Sequence, residues 1–189
     1  MAIMKVKSEP RPISVPGCCF NNVKYEVAEH GGEAITGWEL IHHELYDQRV
    51  PHVVWRKPSG DVVDVTPVVI GEEGGGMQVS WNPEILFEPD TSVSFGNVQT
   101  APKWIATKDD ERVRRACEFM NQADEKSLAG DNQGANYLIE KAEKLLKKID
   151  ERIVLGRNNP VQRILTPEEN EENYKRMREE IRRQGGTIY

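Results

Sequence analysis

The chain has 189 residues, a length that suits one domain of ordinary size or one domain with an appendage. Hydrophobic residues make up 38% of it and charged residues 30%, which is typical of a water-soluble protein, and its formal net charge of −6 argues against a nucleic-acid surface. With no apolar run of membrane-spanning length and no cleavable leader, the sequence predicts a cytoplasmic protein without a membrane partner. Three cysteines, two of them adjacent, do not make a disulfide framework, so we expect free thiols.

The composition of the chain changes near residues 102–104. Residues 1–106 are rich in Gly, Pro, Val and Trp and carry short alternating runs, whereas residues 107–189 are rich in Glu, Lys, Arg, Asn and Gln and follow the helical period. We therefore predict an α+β domain over residues 1–106. A helical hairpin and a charged C-terminal helix are predicted to form an appendage over residues 107–189.

The first helix is predicted over about residues 18–30, after an extended Pro-rich lead-in and before a Gly-Gly stop. Cys19 lies four positions before Val23 and therefore shares the apolar stripe of this helix, while Cys18 points about 100° away. A cysteine is a useful nucleophile only as the thiolate, and a helix N-terminus favours that form. These positions make Cys19, rather than Cys18, the candidate nucleophile.

A hairpin follows in the sequence, and its turn sets the register of two strands. The turn, residues 57–61, has Pro where a type I turn starts and Gly where a left-handed bulge residue is needed, so it predicts a three-residue loop. Counting outward from this loop pairs Trp55 with Val63. His52 and Asp64 then share one face as diagonal neighbours, about 7–8 Å apart between backbones and within side-chain reach.

An imidazole that is held by a carboxylate converts a nearby thiol into a nucleophilic thiolate. We therefore predict a catalytic triad of Cys19, His52 and Asp64, in that order along the chain. Asp61 is the competing acid, but it lies in the turn and is expected to serve the turn. The backbone N–H of Cys19 and the side chain of Asn22 are predicted to stabilise an oxyanion.

The remaining elements are predicted from shorter patterns. Strands or extended segments are predicted over residues 36–46, 68–70, 77–81 and 85–90. Helices are predicted from about residue 109, from about residue 131 and over residues 167–184. Cys117 lies on an apolar helical stripe and is expected to be buried in a core.

The histidines do not predict a metal site. His42 and His43 are adjacent on a predicted strand, so their side chains point to opposite faces. A zinc set can be written from Cys18, Cys19, His30 and His43, but its spacing matches no structural zinc site. We therefore expect no metal and no cofactor, and a zinc-stabilised binding module stays a third alternative for this chain.

The residues from His52 to Pro67 resemble the His and Asp strands of transglutaminase-like cysteine enzymes, through the aromatic after His-Val-Val, the Gly turn and Val-Asp-Val-Thr-Pro. In that family, which belongs to the wider papain-like fold, the nucleophilic Cys opens a helix packed on a small antiparallel sheet. Its His and Asp come from adjacent strands. The resemblance implies these roles for Cys19, His52 and Asp64.

Residues 16–90 are also similar to a group of uncharacterised bacterial and phage proteins. The shared motifs are Cys-Phe-x-Asn-Val, Gly-Gly before Gly-Trp, His-x-Val-Trp and Asp-Val-Thr-Pro. Some members end in a cysteine-rich zinc tail, whose start resembles residues 156–160. Here residues 161–163 are Val-Gln-Arg where the tail would have cysteines, so the resemblance implies no zinc in this chain.

These patterns together predict an α+β protein with a small papain-like or transglutaminase-like core, in which an N-terminal helix packs on an antiparallel sheet, and a C-terminal α-helical appendage. The predicted function is thiol-dependent acyl transfer on a protein or peptide substrate, as in a peptidase, a deamidase or an amidase. The alternative is a non-enzymatic phage or mobile-element protein that binds a host protein through its helical C-terminal half.

Overall fold

The computed structural model describes residues 2–9, 11, 14–73, 76–94, 100–153, 155 and 167–183, and it confirms the predicted α+β class. Its helices are α1 (Cys19–His30), α2 (Glu111–Leu128), α3 (Asn132–Leu146) and α4 (Pro167–Arg183). Its strands are β1 (Met4–Ser8), β2 (Glu33–His42), β3 (Tyr46–Arg56), β4 (Val62–Asp64), β5 (Val68–Glu73), β6 (Gly76–Ser80), β7 (Glu84–Pro89) and β8 (Lys103–Ala106). No helix in these ranges is both long enough and apolar enough to cross a membrane.

Five strands form a small mixed β-barrel in the order β2-β7-β1-β4-β3, which closes where β2 pairs with β3. β1 runs antiparallel to β7 and parallel to β4, with Lys7 opposite Val63 and Ser8 opposite Asp64. The sheet is therefore mixed and not purely antiparallel as predicted, because the N-terminal segment adds a parallel strand that has no counterpart among the predicted elements. The alternation of apolar and basic residues in β1, which buries Val6, is the sequence signal for this strand.

The β3–β4 hairpin has the predicted three-residue loop. The Lys57 N–H donates to the carbonyl oxygen of Asp61 at 2.9 Å, and the Gly60 N–H donates to the carbonyl oxygen of Lys57 at 2.9 Å. Trp55 lies opposite Val63, which is the pairing that this loop requires. The loop therefore fixes which side chains of the two strands lie across from each other.

Helix α1 packs on this hairpin through one apolar cluster. The buried members of the cluster are Cys19, Val23, Val53, Trp55, Val63 and Val65. Where α1 ends, the Trp55 indole N–H donates to the carbonyl oxygen of Gly31 at 2.9 Å. Removing this apolar surface from water holds the first turn of α1, which carries Cys19, beside the two strands.

The chain forms two compact units. The first comprises residues 1–39, 52–98 and 166–189, and the second comprises residues 40–51 and 99–165. Helix α4 therefore belongs to the same unit as α1. The predicted division into domains over residues 1–106 and 107–189 stays a prediction.

The second unit is built on the pair of helices that the sequence predicts. α2 and α3 pack together, and their N-termini are capped by aspartates, because Asp110 accepts from the Arg112 N–H and Asp131 accepts from the Gly134 N–H, both at 2.8 Å. Cys117 is buried in the apolar core of this unit, as predicted. Within the same unit, the first residues of β3 pair with β8, a strand that the sequence analysis does not predict.

Gly32 lies between α1 and β2 at a point where the backbone passes very close to β3. Its φ of 86° is in the left-handed region, and a Cβ added there would lie 2.1 Å from the Arg56 carbonyl oxygen. A left-handed backbone alone costs a residue with a side chain about 1–3 kcal/mol. Because Gly32→Ala adds a clash with the Arg56 carbonyl, we expect it to lower the free energy of unfolding by more than this amount. Chemical denaturation measures this change in the free energy of unfolding.

Gly60→Ala is the matched control for that substitution. Gly60 also has a positive φ, 94°, but a Cβ there meets nothing within 4 Å. It should therefore show the conformational cost alone. Equal losses of stability in the two variants would mean that the close approach at Arg56 does not restrict residue 32.

Candidate functional site

Cys19 is the first residue of α1, and it lies where the helix meets the hairpin. Its side chain is 8% exposed and belongs to the apolar cluster between α1, β3 and β4. The chain enters this helix through Gly17, whose φ of 70° lies in the left-handed region, and through a hydrogen bond from the Cys18 N–H to the Val15 carbonyl oxygen at 3.2 Å. The tight turn therefore positions the first residue of the helix.

His52 and Asp64 are in direct contact, as neighbours on β3 and β4. The Nε2 atom of His52 lies 3.0 Å from Oδ1 of Asp64, and the two residues are 6% and 3% exposed. Oδ1 of Asp64 also accepts from the Thr66 N–H at 3.0 Å. This second bond holds the carboxylate in place, so the carboxylate can orient the imidazole.

The charge of Cys19 acts on the His52 imidazole, so the three side chains of the predicted triad lie near one another. Because Nε2 faces Asp64, Nδ1 is the ring nitrogen left for the thiol. Burial by itself lowers the pKa of His52, but the charge of Cys19 and the hydrogen bonds to Asp64 and Cys19 outweigh burial and raise it well above its usual value. The imidazole therefore holds its proton up to a higher pH than an ordinary histidine does.

Glu39 of β2 is a fourth ionisable group at this place, and the sequence analysis does not find it. Its Oε2 atom lies 3.9 Å from Nδ1 of His52, and its side chain is 16% exposed. Burial raises the pKa of Glu39 above its usual value. The charge of His52 acts in the opposite direction, and the charge of Asp64 acts in the same direction as burial. The available signal is an acid between Trp38 and Leu40, in a strand that pairs with the strand of His52. Local sequence does not predict that pairing.

Asn22 is buried one helical turn after Cys19, and its side chain makes four hydrogen bonds. Its amide oxygen accepts from the Val15 N–H at 2.9 Å and from the Tyr174 hydroxyl at 3.1 Å. Its amide nitrogen donates to the Val15 carbonyl oxygen at 2.9 Å and to the Thr66 hydroxyl at 3.4 Å. Both amide hydrogens are thus engaged, and the predicted oxyanion role of Asn22 would require one of these bonds to break.

Helix α4 covers part of α1 in the same unit. Besides the Tyr174 hydrogen bond, the Arg178 guanidinium stacks on the Tyr25 ring, 3.4 Å from its centroid. Burial raises the pKa of Tyr174 to about 12; Arg178 lowers it, and the charges of Cys18 and two further groups raise it. Cys18 therefore acts on Tyr174 of α4, whereas Cys19 acts on the imidazole.

The remaining candidates of the sequence analysis lie elsewhere. Asp61 accepts from the Ser59 hydroxyl at 2.8 Å within the turn. His42 bonds to Asp47 at 2.8 Å at an exposed position, and the ring of His43 packs against Tyr46. Among the described residues, no three His, Cys, Asp or Glu side chains are grouped so that they could hold a metal ion.

Comparisons with known proteins do not assign this site to a family. No protein-family model, curated protein or solved structure gives a significant match to this chain. The function of such a chain is indicated by the geometry and chemistry of its side chains.

The hydrogen bonds of Asn22 make a test of its role. Asn22→Ala leaves the N–H of buried Val15 without its partner, and one buried unpaired donor costs about 1–3 kcal/mol, so we expect a clear loss of unfolding free energy. Asn21→Ala, at the partly exposed neighbouring position, should change stability by less than about 0.5 kcal/mol. An Asn22→Ala protein of wild-type stability would contradict the structural role of Asn22.

The contacts of α4 make a second test. The double variant Tyr174→Ala, Arg178→Ala removes the hydrogen bond and the stacked guanidinium that join α4 to α1, so we expect Cys18 to become more accessible and to react faster with a thiol reagent. The control is Lys175→Ala, Glu179→Ala on the exposed side of the same helix. Mass spectrometry of each alkylated cysteine reports the rates, and equal Cys18 rates in the two double variants would contradict the docking of α4.

Proposed function

We propose that this protein is a thiol-dependent acyl-transfer hydrolase. The observation that carries the proposal is the placement of one imidazole beside a thiol and a fixed carboxylate, since His52 bonds to Asp64 in a buried site and the charge of Cys19 raises the pKa of His52. A thiol, an imidazole and an orienting acid in this arrangement form the nucleophile, the general base and the positioning group of a cysteine hydrolase.

The proposed reaction starts when the Cys19 proton passes to Nδ1 of His52. The sulfur then bonds to the substrate carbonyl carbon, and the carbonyl π electrons move to oxygen, where the backbone N–H of Cys19 can stabilise the charge. When the carbonyl re-forms, the C–N bond breaks and the leaving amine takes the proton from His52. Water next attacks the thioester with His52 as base, the C–S bond breaks, and the acid leaves as the thiol regains its proton.

The position of the nucleophile supports a papain-like or transglutaminase-like core. Cys19 opens a helix that packs on the strands that carry His52 and Asp64, which is the order and placement that the sequence resemblance implies. A protein or peptide amide is the substrate class that fits this chemistry, as for a peptidase, a deamidase or an amidase. The first two steps also permit transfer of the acyl group to an amine in place of water.

The competing proposal is a binding protein that acts through its helical half. Its support is an open, mainly apolar cavity of about 520 Å³ in the second unit. The cavity is lined in part by Pro102, Trp104 and Ile105, and Ile105 is 44% exposed. Apolar side chains that are exposed to water, such as Ile105, occur at protein-binding sites.

The pH dependence of alkylation at each cysteine tests the enzyme proposal. Burial raises the pKa of Cys18 to about 11, with a further contribution from Cys19, and burial raises that of Cys117 to about 11. A raised pKa means less thiolate at neutral pH, so both cysteines should react slowly there, and their rates should rise about tenfold for each pH unit below that value. Cys19 should react fastest of the three at neutral pH, and His52→Ala should slow it alone.

Acylation provides the second part of this test. An activated ester offered to the wild-type protein should leave an acyl group on Cys19 that is detected by mass spectrometry and is lost on standing in water. Asp64→Asn should reduce the rate, because the imidazole loses its fixed orienting carboxylate. If all three cysteines react alike and His52→Ala changes nothing, the enzyme proposal is wrong and the binding proposal is the one to pursue.

A further inference from the structure

The imidazole of His52 lies between two carboxylates, and the proposed reaction uses only one of them. Asp64 contacts Nε2 at 3.0 Å, whereas Glu39 lies 3.9 Å from Nδ1, the nitrogen that accepts the thiol proton in the proposed reaction. A separation of 3.9 Å is too long for a direct hydrogen bond. Glu39 therefore acts on the imidazole through its charge, and it leaves the Nδ1 proton available to the sulfur.

A charge at this distance is strong because the site is shielded from water. The side chains of His52 and Asp64 are almost completely buried, and that of Glu39 is 16% exposed. Charges separated by a few ångströms interact several times more strongly in such a place than in bulk water. A second negative charge beside Nδ1 stabilises the imidazolium, which is the form that must accompany the Cys19 thiolate.

We propose that Glu39 is a positioning residue of this site, which holds His52 in its charged form and thereby raises the fraction of Cys19 that is a thiolate. This inference rests on the proposed function, because it concerns the same thiol and imidazole. In the transfer step, the thiol proton moves to Nδ1, and the carboxylate of Glu39 balances the positive charge that results. Glu39 forms no bond to substrate and exchanges no proton in this step.

The proposal has a definite pH dependence. Among the described residues, the titratable groups that act on Glu39 are His52 from β3 and Asp64 from β4. Cys19 from α1 acts on His52 and so affects Glu39 indirectly. Burial raises the pKa of the Glu39 carboxyl, so this group takes up a proton at a higher pH than an ordinary glutamate does. Once Glu39 is neutral, the imidazolium loses its second partner and the thiolate fraction falls, so the acid limb of Cys19 reactivity should follow the titration of Glu39.

The experiment uses the full-length protein labelled with ¹⁵N and follows the ring nitrogens of His52 by NMR across the pH range. Glu39→Gln keeps the size of the side chain and removes its charge. We expect it to lower the midpoint of His52 by about one pH unit and to slow iodoacetamide alkylation of Cys19 at neutral pH by about tenfold. Glu39→Asp should restore part of both effects, since it restores the charge at a greater distance.

Glu33→Gln is the matched control. Glu33 lies on the same strand, but it is exposed and paired with Arg56. This variant should leave the midpoint of His52 and the rate of Cys19 unchanged. If it lowers both as Glu39→Gln does, the effect belongs to the strand or to the overall charge, and the proposal is overturned.

A measurement on the wild-type protein keeps the proposal testable even if Glu39→Gln does not fold. The ¹³C shift of the Glu39 carboxyl should titrate together with a second inflection in the ring shifts of His52. Independent titrations of the two groups would overturn the inference. His52→Ala distinguishes failure of this inference from failure of the proposed function. If the alkylation rate of Cys19 depends on His52 but not on Glu39, only the role of Glu39 is wrong. If that rate does not depend on His52, the proposed function itself is wrong.

Discussion

The register of the β3–β4 hairpin is the constraint on which the site depends. Side chains alternate along a strand, so a shift of one residue would turn Asp64 away from His52. The loop that pairs Lys57 with Asp61 prevents this shift, since it fixes an odd number of residues between the strands. The 3.0 Å contact between the imidazole and the carboxylate depends on that turn.

The barrel keeps the hairpin and its carboxylate in place. β1 pairs with β4 on the side away from β3, with Ser8 opposite Asp64. The Glu9 N–H donates to the Asp64 carbonyl oxygen at 2.8 Å. The Thr66 N–H binds the side-chain oxygen of the same aspartate. Asp64 is therefore held through both its backbone and its carboxylate, and a carboxylate held in this way cannot rotate away from His52 without loss of a buried hydrogen bond.

The sequence predicts those parts of the site that local patterns determine. The helix with Cys19 and the hairpin with His52 and Asp64 follow from periodicity and turn residues that lie within a few positions of each other. Contacts between distant segments left no comparable signal: Tyr174 bonds to Asn22 across 152 positions. Asn22 illustrates the consequence, because its place after Cys19 suggests an oxyanion donor while the fold uses both amide hydrogens to hold Val15 and Thr66.

The two adjacent cysteines show which physical effect can make one of them reactive. Cys18 and Cys19 share the same helix N-terminus, so the partial positive charge of the helix acts on both and cannot distinguish them. Cys19 is the first residue of α1 and its charge acts on His52, whereas Cys18 is the residue before the helix and its charge acts on Tyr174. Burial raises the pKa of Cys18 to about 11, and the charge of Cys19 raises it further. Under the proposed function, a difference in reactivity between the two cysteines comes from the imidazole beside Cys19, which Asp64 orients.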